Sequence, residues 1–266
     1  MDALLTPPAV DPPCGGASGE GVEPRVLRAV PAPEALHPTL WRAHQLGRSR
    51  EETVPSGFPA LDAELPGGGW PRRALSELLL PQLGIGEMRL LAPALQQVTA
   101  AGRVVMLFDP PAMTCGAGFA QLGIDVQQLV LVQPHAKLRG HARELLPSAD
   151  VLWALEQALK SGHVGAVLAW LPSHLRIDVL RRLQLAAQAQ EGPAFLLRDA
   201  SARARPSPAP LRLSLQSAGA DVLAVRVLKR RGPALPEALQ LALRPVLPAS
   251  VRERSDAASQ PLPVPA

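Results

Sequence analysis

The chain has 266 residues and a formal net charge of +4, a balance that permits contact with nucleic acid without demanding it. Hydrophobic residues make up 47% of the sequence but aromatic residues only 3%, so a core must consist mainly of leucine, valine and alanine. The two cysteines, Cys14 and Cys115, are too few for a disulfide framework or a zinc site, which favours a reducing compartment. We recognise neither a signal peptide nor an apolar stretch of about 18 residues, so we expect a cytoplasmic protein without a membrane span.

The composition separates a long middle section from two tails. Residues 1–35 are rich in proline, glycine and alanine and show no hydrophobic periodicity, and residues 246–266 are similar. Both tails are predicted to be disordered, because they bury too little apolar surface to offset the entropy lost on ordering. Residues 36–54 are predicted to form an N-terminal helix and a linker, and residues 55–245 a folded core domain.

Residues 38–49 can form a short helix with Pro38 in its first turn and Gly47 at its end. Trp41 lies beside the apolar side of this helix. An exposed tryptophan is typical of protein interfaces, which makes Trp41 a candidate partner contact. The other interpretation, that the helix packs on its own domain, stays open.

Residues 76–90 (SELLLPQLGIGEMRL) predict a buried strand, a glycine-bearing loop and the start of a helix. This is the layout of a phosphate-binding loop, G-x-x-x-x-G-K-[ST], but most of its defining residues are replaced. A glutamate stands in place of the lysine and would repel phosphate, and a methionine replaces the magnesium-binding hydroxyl residue. An ordinary strand–turn–helix with chance glycines is the alternative. The candidate residues of this altered phosphate-binding loop are Pro81, Gly84, Gly86, Glu87 and Met88.

Strands and helices alternate beyond this loop. Short apolar runs predict buried strands, and apolar residues three or four apart predict helices. Pro93 is expected to kink or shorten the first of these helices. The predicted strands are residues 74–80, 104–108, 128–132, 165–172, 194–197, 211–215, 222–228 and 238–243. The predicted helices start after Gly86, at Met113, at Asp150 and at a Ser173 cap, and the last runs to about Gln190.

Two stretches are strongly basic. Residues 135–146 contain two histidines without cysteine or suitably spaced carboxylates, so we predict a solvated loop and no metal site. Residues 196–231 contain eight lysines and arginines against two aspartates. They are interpreted either as solvated edge and loop charge or as a surface that contacts protein or DNA phosphate.

A resemblance to a known family sharpens this interpretation. Residues 54–78 (VPSGFPALDAELPGGGWPRRALSEL) resemble the T-G-x-x-x-L-D-x-x-L-G-x-G-G-x-P-x-G-x-x-x-E segment that leads into the ATPase core of RecA-family recombinases. Residues 101–109 and 122–134 are similar to the next two segments of that core, in order. The resemblance covers about residues 55–243 and implies an α/β fold, a RecA-like core whose mainly parallel, twisted sheet is flanked by helices.

The resemblance also implies that the nucleotide chemistry is lost. In the recombinases an acidic residue past the second core strand activates water, and here Pro111 takes its place. Trp170 stands where the recombinases have a metal-coordinating aspartate, and Asp199 where a glutamine couples nucleotide state to DNA binding. We therefore expect no bound cofactor, no catalytic or metal-ligating residues and no ATPase activity.

The residues 41–47 (WRAHQLG) and the turn 66–71 (PGGGWP) narrow the resemblance to the ImuA family, RecA-like accessory proteins of bacterial error-prone DNA synthesis. This resemblance implies a non-catalytic role in damage-induced (SOS) translesion synthesis. The implied partners are an ImuB-type inactive Y-family polymerase, a DnaE-type error-prone polymerase and RecA, with only weak contact to DNA. Alternatives are a SulA-like inhibitor of the cell-division protein FtsZ and an atypical RecA-like ATPase. The basic candidates for partner contact are Lys229, Arg230 and Arg231.

Overall fold

The computed structural model describes residues 52–111, 114–133, 149–232 and 237–246. The predicted tail 1–35, the helix around Trp41, the basic loop 135–146 and the tail beyond residue 246 lie outside these ranges. The described strands are β1 (Thr53–Val54), β2 (Trp70–Pro71), β3 (Leu75–Leu80), β4 (Val105–Phe108), β5 (Leu129–Val132), β6 (Ala166–Trp170), β7 (Ala194–Asp199), β8 (Leu211–Gly219), β9 (Val222–Lys229) and β10 (Leu239–Ala242). The described α-helices are α1 (Pro59–Asp62), α2 (Glu87–Ala100), α3 (Gly116–Gln121), α4 (Ala149–Ser161) and α5 (Ile177–Ala187).

Eight of the strands form one sheet in the order β10-β9-β8-β3-β7-β6-β4-β5. The six strands from β8 to β5 are parallel to their neighbours, whereas β9 and β10 add an antiparallel edge. A helix follows each of β3, β4, β5 and β6 in the chain, as parallel pairing requires. The predicted α/β fold with a mainly parallel sheet flanked by helices is confirmed.

Both faces of the sheet are covered by apolar side chains. On one face α2 contributes Leu91 and Leu95 to a cluster that includes residues of β3, β4 and β6 to β10. On the other face α4 and α5 contribute Leu155 and Leu183 to a second cluster. Strands covered on both sides are mostly apolar, which explains why leucine, valine and alanine dominate the strands of this sheet.

The segment before β3 is held by a hydrogen bond within the motif 54–78 and by close packing against α2. The backbone N–H of Ser56, which is fully buried, donates to Oδ1 of Asp62 at 2.9 Å. A Cβ at Gly57 would lie 2.4 Å from Cβ of Pro93, so only glycine lets this turn approach α2 so closely. The motif that resembles recombinases therefore has a packing role of its own.

Three predicted boundaries need correction. Helix α3 begins at Gly116 rather than Met113, and α5 begins at Ile177 rather than after a Ser173 cap. Pro93 does not shorten α2, which continues to Ala100. In the described part of the chain, no helix is long and apolar enough to cross a membrane.

Candidate functional site

The carboxyl edge of the parallel strands is where open α/β sheets place their ligands. The altered loop, residues 81–86, leaves β3 at this edge and leads directly into α2. Asp109 follows β4 and Trp170 ends β6 at the same edge. The structure thus brings the sequence-predicted nucleotide positions to one side of the sheet.

Glu87 turns its side chain back into the altered loop. Its Oε1 accepts a hydrogen bond from the backbone N–H of Gly84 at 2.8 Å, and its Oε2 accepts one from Gly86 at 3.1 Å. The residue is 5% exposed. Backbone N–H groups at a glycine loop before a helix form an anion cradle, and in a phosphate-binding loop they hold phosphate oxygens. Here a carboxylate of the chain occupies that cradle.

Further contacts close the loop from the side of the β8–β9 turn. Arg89 Nη1 donates to Oδ1 of Asp221 at 2.7 Å, and Arg89 Nη2 donates to the carbonyl of Ala220 at 3.2 Å. Gly86 has φ 114°, and a Cβ there would lie 2.5 Å from Leu243. The start of α2 is therefore packed against the strand end and turn of the antiparallel edge.

The other predicted nucleotide positions have structural contacts. Met88 is half-buried and packs against the core cluster beneath α2, and Trp170 packs against the same cluster. Asp109 has φ 53°, and its N–H donates to the carbonyl of Val132 at 2.8 Å. Pro111 has no acidic group to activate water. Among the described residues, no three His, Cys, Asp or Glu side chains lie together as metal ligands.

Asp199 ends β7 and caps the short 3-10 helix Ala200–Ala204. Its Oδ1 accepts a hydrogen bond from the N–H of Ser201 at 2.8 Å. Bonds from the side chain and the backbone of Ser201 hold the pKa of the Asp199 carboxyl below its ordinary value. At neutral pH this carboxylate is charged and fixes the chain direction after β7.

A buried ion triad (Glu77, Arg198 and Arg212) joins three neighbouring strands. Arg198 Nη1 donates to Oε1 of Glu77, and Arg212 Nε donates to Oε2 of Glu77 at 2.5 Å. The side chains of Glu77 and Arg198 are fully buried. Arg198 also donates to the carbonyls of Pro172 and Ser173, and Arg212 also donates to the carbonyl of Ala202. Both arginines lie in the basic stretch 196–231, which was predicted to be either solvated or a surface for partner contact, and for Arg198 and Arg212 both interpretations are wrong.

The three basic residues that were predicted to contact a partner have different surroundings in the structure. Lys229 Nζ donates to the carbonyl of Ser207 at 2.9 Å. Arg230 Nη1 donates to Oε2 of Glu64 at 2.8 Å, and its side chain is only 11% exposed. Arg231 is exposed and lines a groove at the opposite edge of the sheet. Trp41 lies outside the described residues.

The fold and the altered loop define an α/β domain in which the backbone N–H groups of the loop are bound by the chain's own glutamate. The chain is 35% identical over 141 residues to protein RecA of Lactobacillus delbrueckii subsp. bulgaricus, a match that covers 49% of this chain and 42% of that protein. It is 32% identical over 155 residues to protein RecA of Gloeothece citriformis, covering 54% and 43% respectively.

A third match is to protein RecA of Picosynechococcus sp., with 26% identity over 154 residues, 54% of this chain and 44% of that protein. The chain therefore spans less than half the length of the curated relatives it matches. These matches support membership of a RecA-like superfamily through distant homology over about half of the chain. No family model matches the sequence, and the narrower resemblance to ImuA stays a prediction.

Proposed function

We propose that the protein is a non-catalytic accessory protein of damage-induced (SOS) translesion DNA synthesis. It acts through contacts with an ImuB-type polymerase, a DnaE-type polymerase and RecA, in the cytoplasm and, when bound to these partners, on the nucleoid. The observation that supports the non-catalytic role best is the Glu87 carboxylate in the N–H cradle of the altered loop. Distant homology with RecA supports the connection to DNA damage.

The cradle argues against nucleotide binding on electrostatic grounds. A phosphate would have to displace a buried carboxylate that already holds two backbone donors. If both stayed, two like charges about 4 Å apart would repel by roughly 4 kcal/mol at an intermediate dielectric. Neither Met88 nor Trp170 offers an oxygen ligand for magnesium. A RecA-like domain of this kind can contact its partners without a conformational change that depends on nucleotide.

The experiment is partner capture with the full-length chain from DNA-damaged cells, followed by mass spectrometry. We expect the wild type to recover the ImuB-type and DnaE-type polymerases. Replacing Trp41 with alanine should weaken capture by about 2 kcal/mol, roughly 25-fold, because buried aromatic residues dominate interface energy. Arg230 is unsuitable as an interface variant, since its side chain bonds to Glu64 inside the domain.

Trp153→Ala is the matched control, because Trp153 lies on α4 with 64% of its surface exposed. This variant should keep full capture. If Trp41→Ala folds normally and also keeps full capture, the proposed contact through residues 38–49 is wrong. Recovery of FtsZ without either polymerase would contradict the proposed function and favour the SulA-like alternative.

A further inference from the structure

Strand β5 (Leu129–Val132) is an edge strand of the eight-stranded sheet, and among the described strands it pairs only with β4. Its residues are apolar, yet part of this strand is exposed. The described residues include six exposed large hydrophobic side chains, and three of them lie here: Val126 is 37%, Val130 42% and Leu131 44% exposed. A cluster of exposed apolar side chains typically marks a contact with another protein.

The β5 edge differs from the other edge of the sheet. Residues 126–133 contain neither a charged side chain nor a proline. The opposite edge strand, β10, is flanked by the exposed residues Glu237 and Arg244, and α1 lies against it. Natural proteins protect edge strands with charge or with a covering element, because an unpaired edge otherwise accepts another strand. The β5 edge is therefore the one that is suited to strand pairing.

The pairing with β4 fixes which backbone groups of β5 face outward. The N–H of Asp109 donates to the carbonyl of Val132 at 2.8 Å, so the backbone polar groups of Val132 face β4. These groups alternate in direction along a strand, so those of Leu129 and Leu131 face away from the sheet. The Leu129 N–H already donates to the carbonyl of Val126. Among the described residues, the N–H and carbonyl of Leu131 and the carbonyl of Leu129 are thus open to a further strand.

An antiparallel strand with the same sequence satisfies these open groups. With Leu131 opposite Leu131 of a second copy, the N–H of each leucine donates to the carbonyl of the other, and the Leu129 carbonyl faces the backbone of Gln133. The side chains match in the same register. The two copies of Leu131 meet on one face of the sheet, and Val130 meets Val132 on the other. A two-fold axis relates the halves of such a contact, and residues 126–133 carry no charge that would repel its copy.

We propose that the β5 edge binds the β5 edge of a second copy in this antiparallel register, so that two sheets join in a symmetric dimer. The inference is independent of the proposed function, because it concerns the assembly of the chain with itself. A strand of four residues is short. The contact therefore lies at the low end of interface sizes, below about 1,200 Å², and we expect a weak dimer that is populated at about 100 μM protein.

Sedimentation velocity of the full-length chain tests for this dimer. We expect a monomer–dimer mixture for the wild type, and dissociation that is at least about tenfold easier for Leu131→Lys, because two lysines would face each other across the axis. Leu131→Glu should dissociate in the same way. Mixing Leu131→Lys with Leu131→Glu should restore association, since opposite charges then meet, and this recovery also shows that both variants are folded.

The matched control is Leu185→Lys, which places the same charge on α5 at a leucine that is 64% exposed. It should sediment like the wild type. Equal dissociation of Leu185→Lys and Leu131→Lys would show a general effect of charge and overturn the proposal. So would a mixture of Leu131→Lys and Leu131→Glu that stays monomeric.

Cross-linking tests the register in a Cys14→Ser/Cys115→Ser background. Residue 131 faces itself in a hydrogen-bonded pair, with Cα atoms about 5.5 Å apart, which a disulfide can span. Residue 130 meets its own copy only diagonally, at about 7–8 Å, which is too far. Mild oxidation should therefore link Leu131→Cys into a covalent dimer and Val130→Cys at least about tenfold less. Equal linking of the two variants would overturn the proposed register.

The remaining outcomes separate the possible occupants of the β5 edge and the two proposals. A wild type that stays monomeric at its highest soluble concentration overturns the dimer. If that monomer captures a polymerase and Leu131→Lys does not, a strand of the partner occupies the edge instead. Slow hydrogen exchange of the Leu131 N–H in the monomer would show that a segment of the same chain covers the edge. If the dimer forms as expected while polymerase capture fails, the dimer stands and the proposed function is wrong.

Discussion

At the scale of single residues, Glu87 shows what a sequence can and cannot indicate. A glutamate in place of a lysine predicted the loss of phosphate attraction from charge alone. The return of that carboxylate to the N–H groups of Gly84 and Gly86 was not predictable, because it depends on the positive φ of both glycines. From the sequence alone, a loop that has lost its phosphate site cannot be distinguished from a loop in which a side chain takes the place of the phosphate.

Replacing Glu87 with alanine should destabilise the protein. The backbone N–H groups of Gly84 and Gly86 would lose their acceptor, and leaving the buried Gly86 donor unsatisfied costs about 1–3 kcal/mol. The emptied cradle should then accept an anion, so inorganic phosphate should raise the thermal midpoint of Glu87→Ala but not that of the wild type. Thermal unfolding with and without phosphate measures both effects.

The exposed Glu191 provides the matched control, since Glu191→Ala removes a carboxylate whose side chain is 59% exposed. It should change neither stability nor the response to phosphate. Glu87→Lys should not restore low-micromolar binding of a labelled ATP analogue, because Met88, Pro111 and Trp170 are unchanged. Tight binding of the analogue by the wild type would contradict the filled cradle as the reason for lost nucleotide chemistry.

At the scale of elements, the strands were predictable from the sequence, but the order in which they pair within the sheet was not. Local apolar runs indicate most of the strands from β3 to β7, an alternating pattern indicates β8 and β9, and the predicted strands agree with the observed ones to within a few residues. The buried triad depends on side chains that are 121 and 135 residues from Glu77 along the chain. Only the order β7-β3-β8 brings these side chains together.

The start of α5 illustrates the same limit. Ser173 fits the sequence pattern of a helix cap. In the structure its carbonyl accepts a hydrogen bond from Arg198 Nη2 at 2.8 Å, and the helix begins four residues later, at Ile177. The hydrogen bond from Arg198 on β7 to this carbonyl is a contact that no local sequence pattern contains.

The triad supports a prediction about how these strands are held together. Glu77→Leu leaves two arginines without their shared carboxylate, one of them fully buried. Removing one member of a buried ion network typically costs about 3–5 kcal/mol. Urea unfolding followed by circular dichroism should show a loss of this size.

The triple variant Glu77→Leu/Arg198→Met/Arg212→Leu replaces the whole triad with apolar residues. It removes the two arginine charges together with the carboxylate that pairs with them. Such replacements are often neutral or stabilising, so this variant should recover most of the stability lost in Glu77→Leu. If Glu77→Leu alone unfolds at the wild-type urea concentration, the triad does not hold β3, β7 and β8 together.

At the scale of the whole molecule, the two edges of the parallel sheet differ in chemistry. At the carboxyl edge the altered loop is filled by Glu87 and packed against Leu243. At the amino edge, Arg72 and Arg73 line a groove beside the start of β3. A fold whose usual ligand edge is filled by its own side chains can still present the opposite edge to a partner. Contact with partner proteins is the function that we propose for this domain.

The domain limits proposed from composition can be tested on the full-length chain. Residues 1–35 and 246–266 contain too little apolar sequence to offset an ordering cost of about 1–2 kcal/mol per residue. Limited proteolysis should therefore leave a fragment that starts near residue 38 and ends near residue 245. Mass spectrometry of the fragment gives its ends, and its thermal midpoint should match that of the intact chain. Partner protein added before proteolysis should protect residues 38–49 if the helix predicted for this segment forms the contact. Resistance of either tail in the chain alone would show that it is folded against the core.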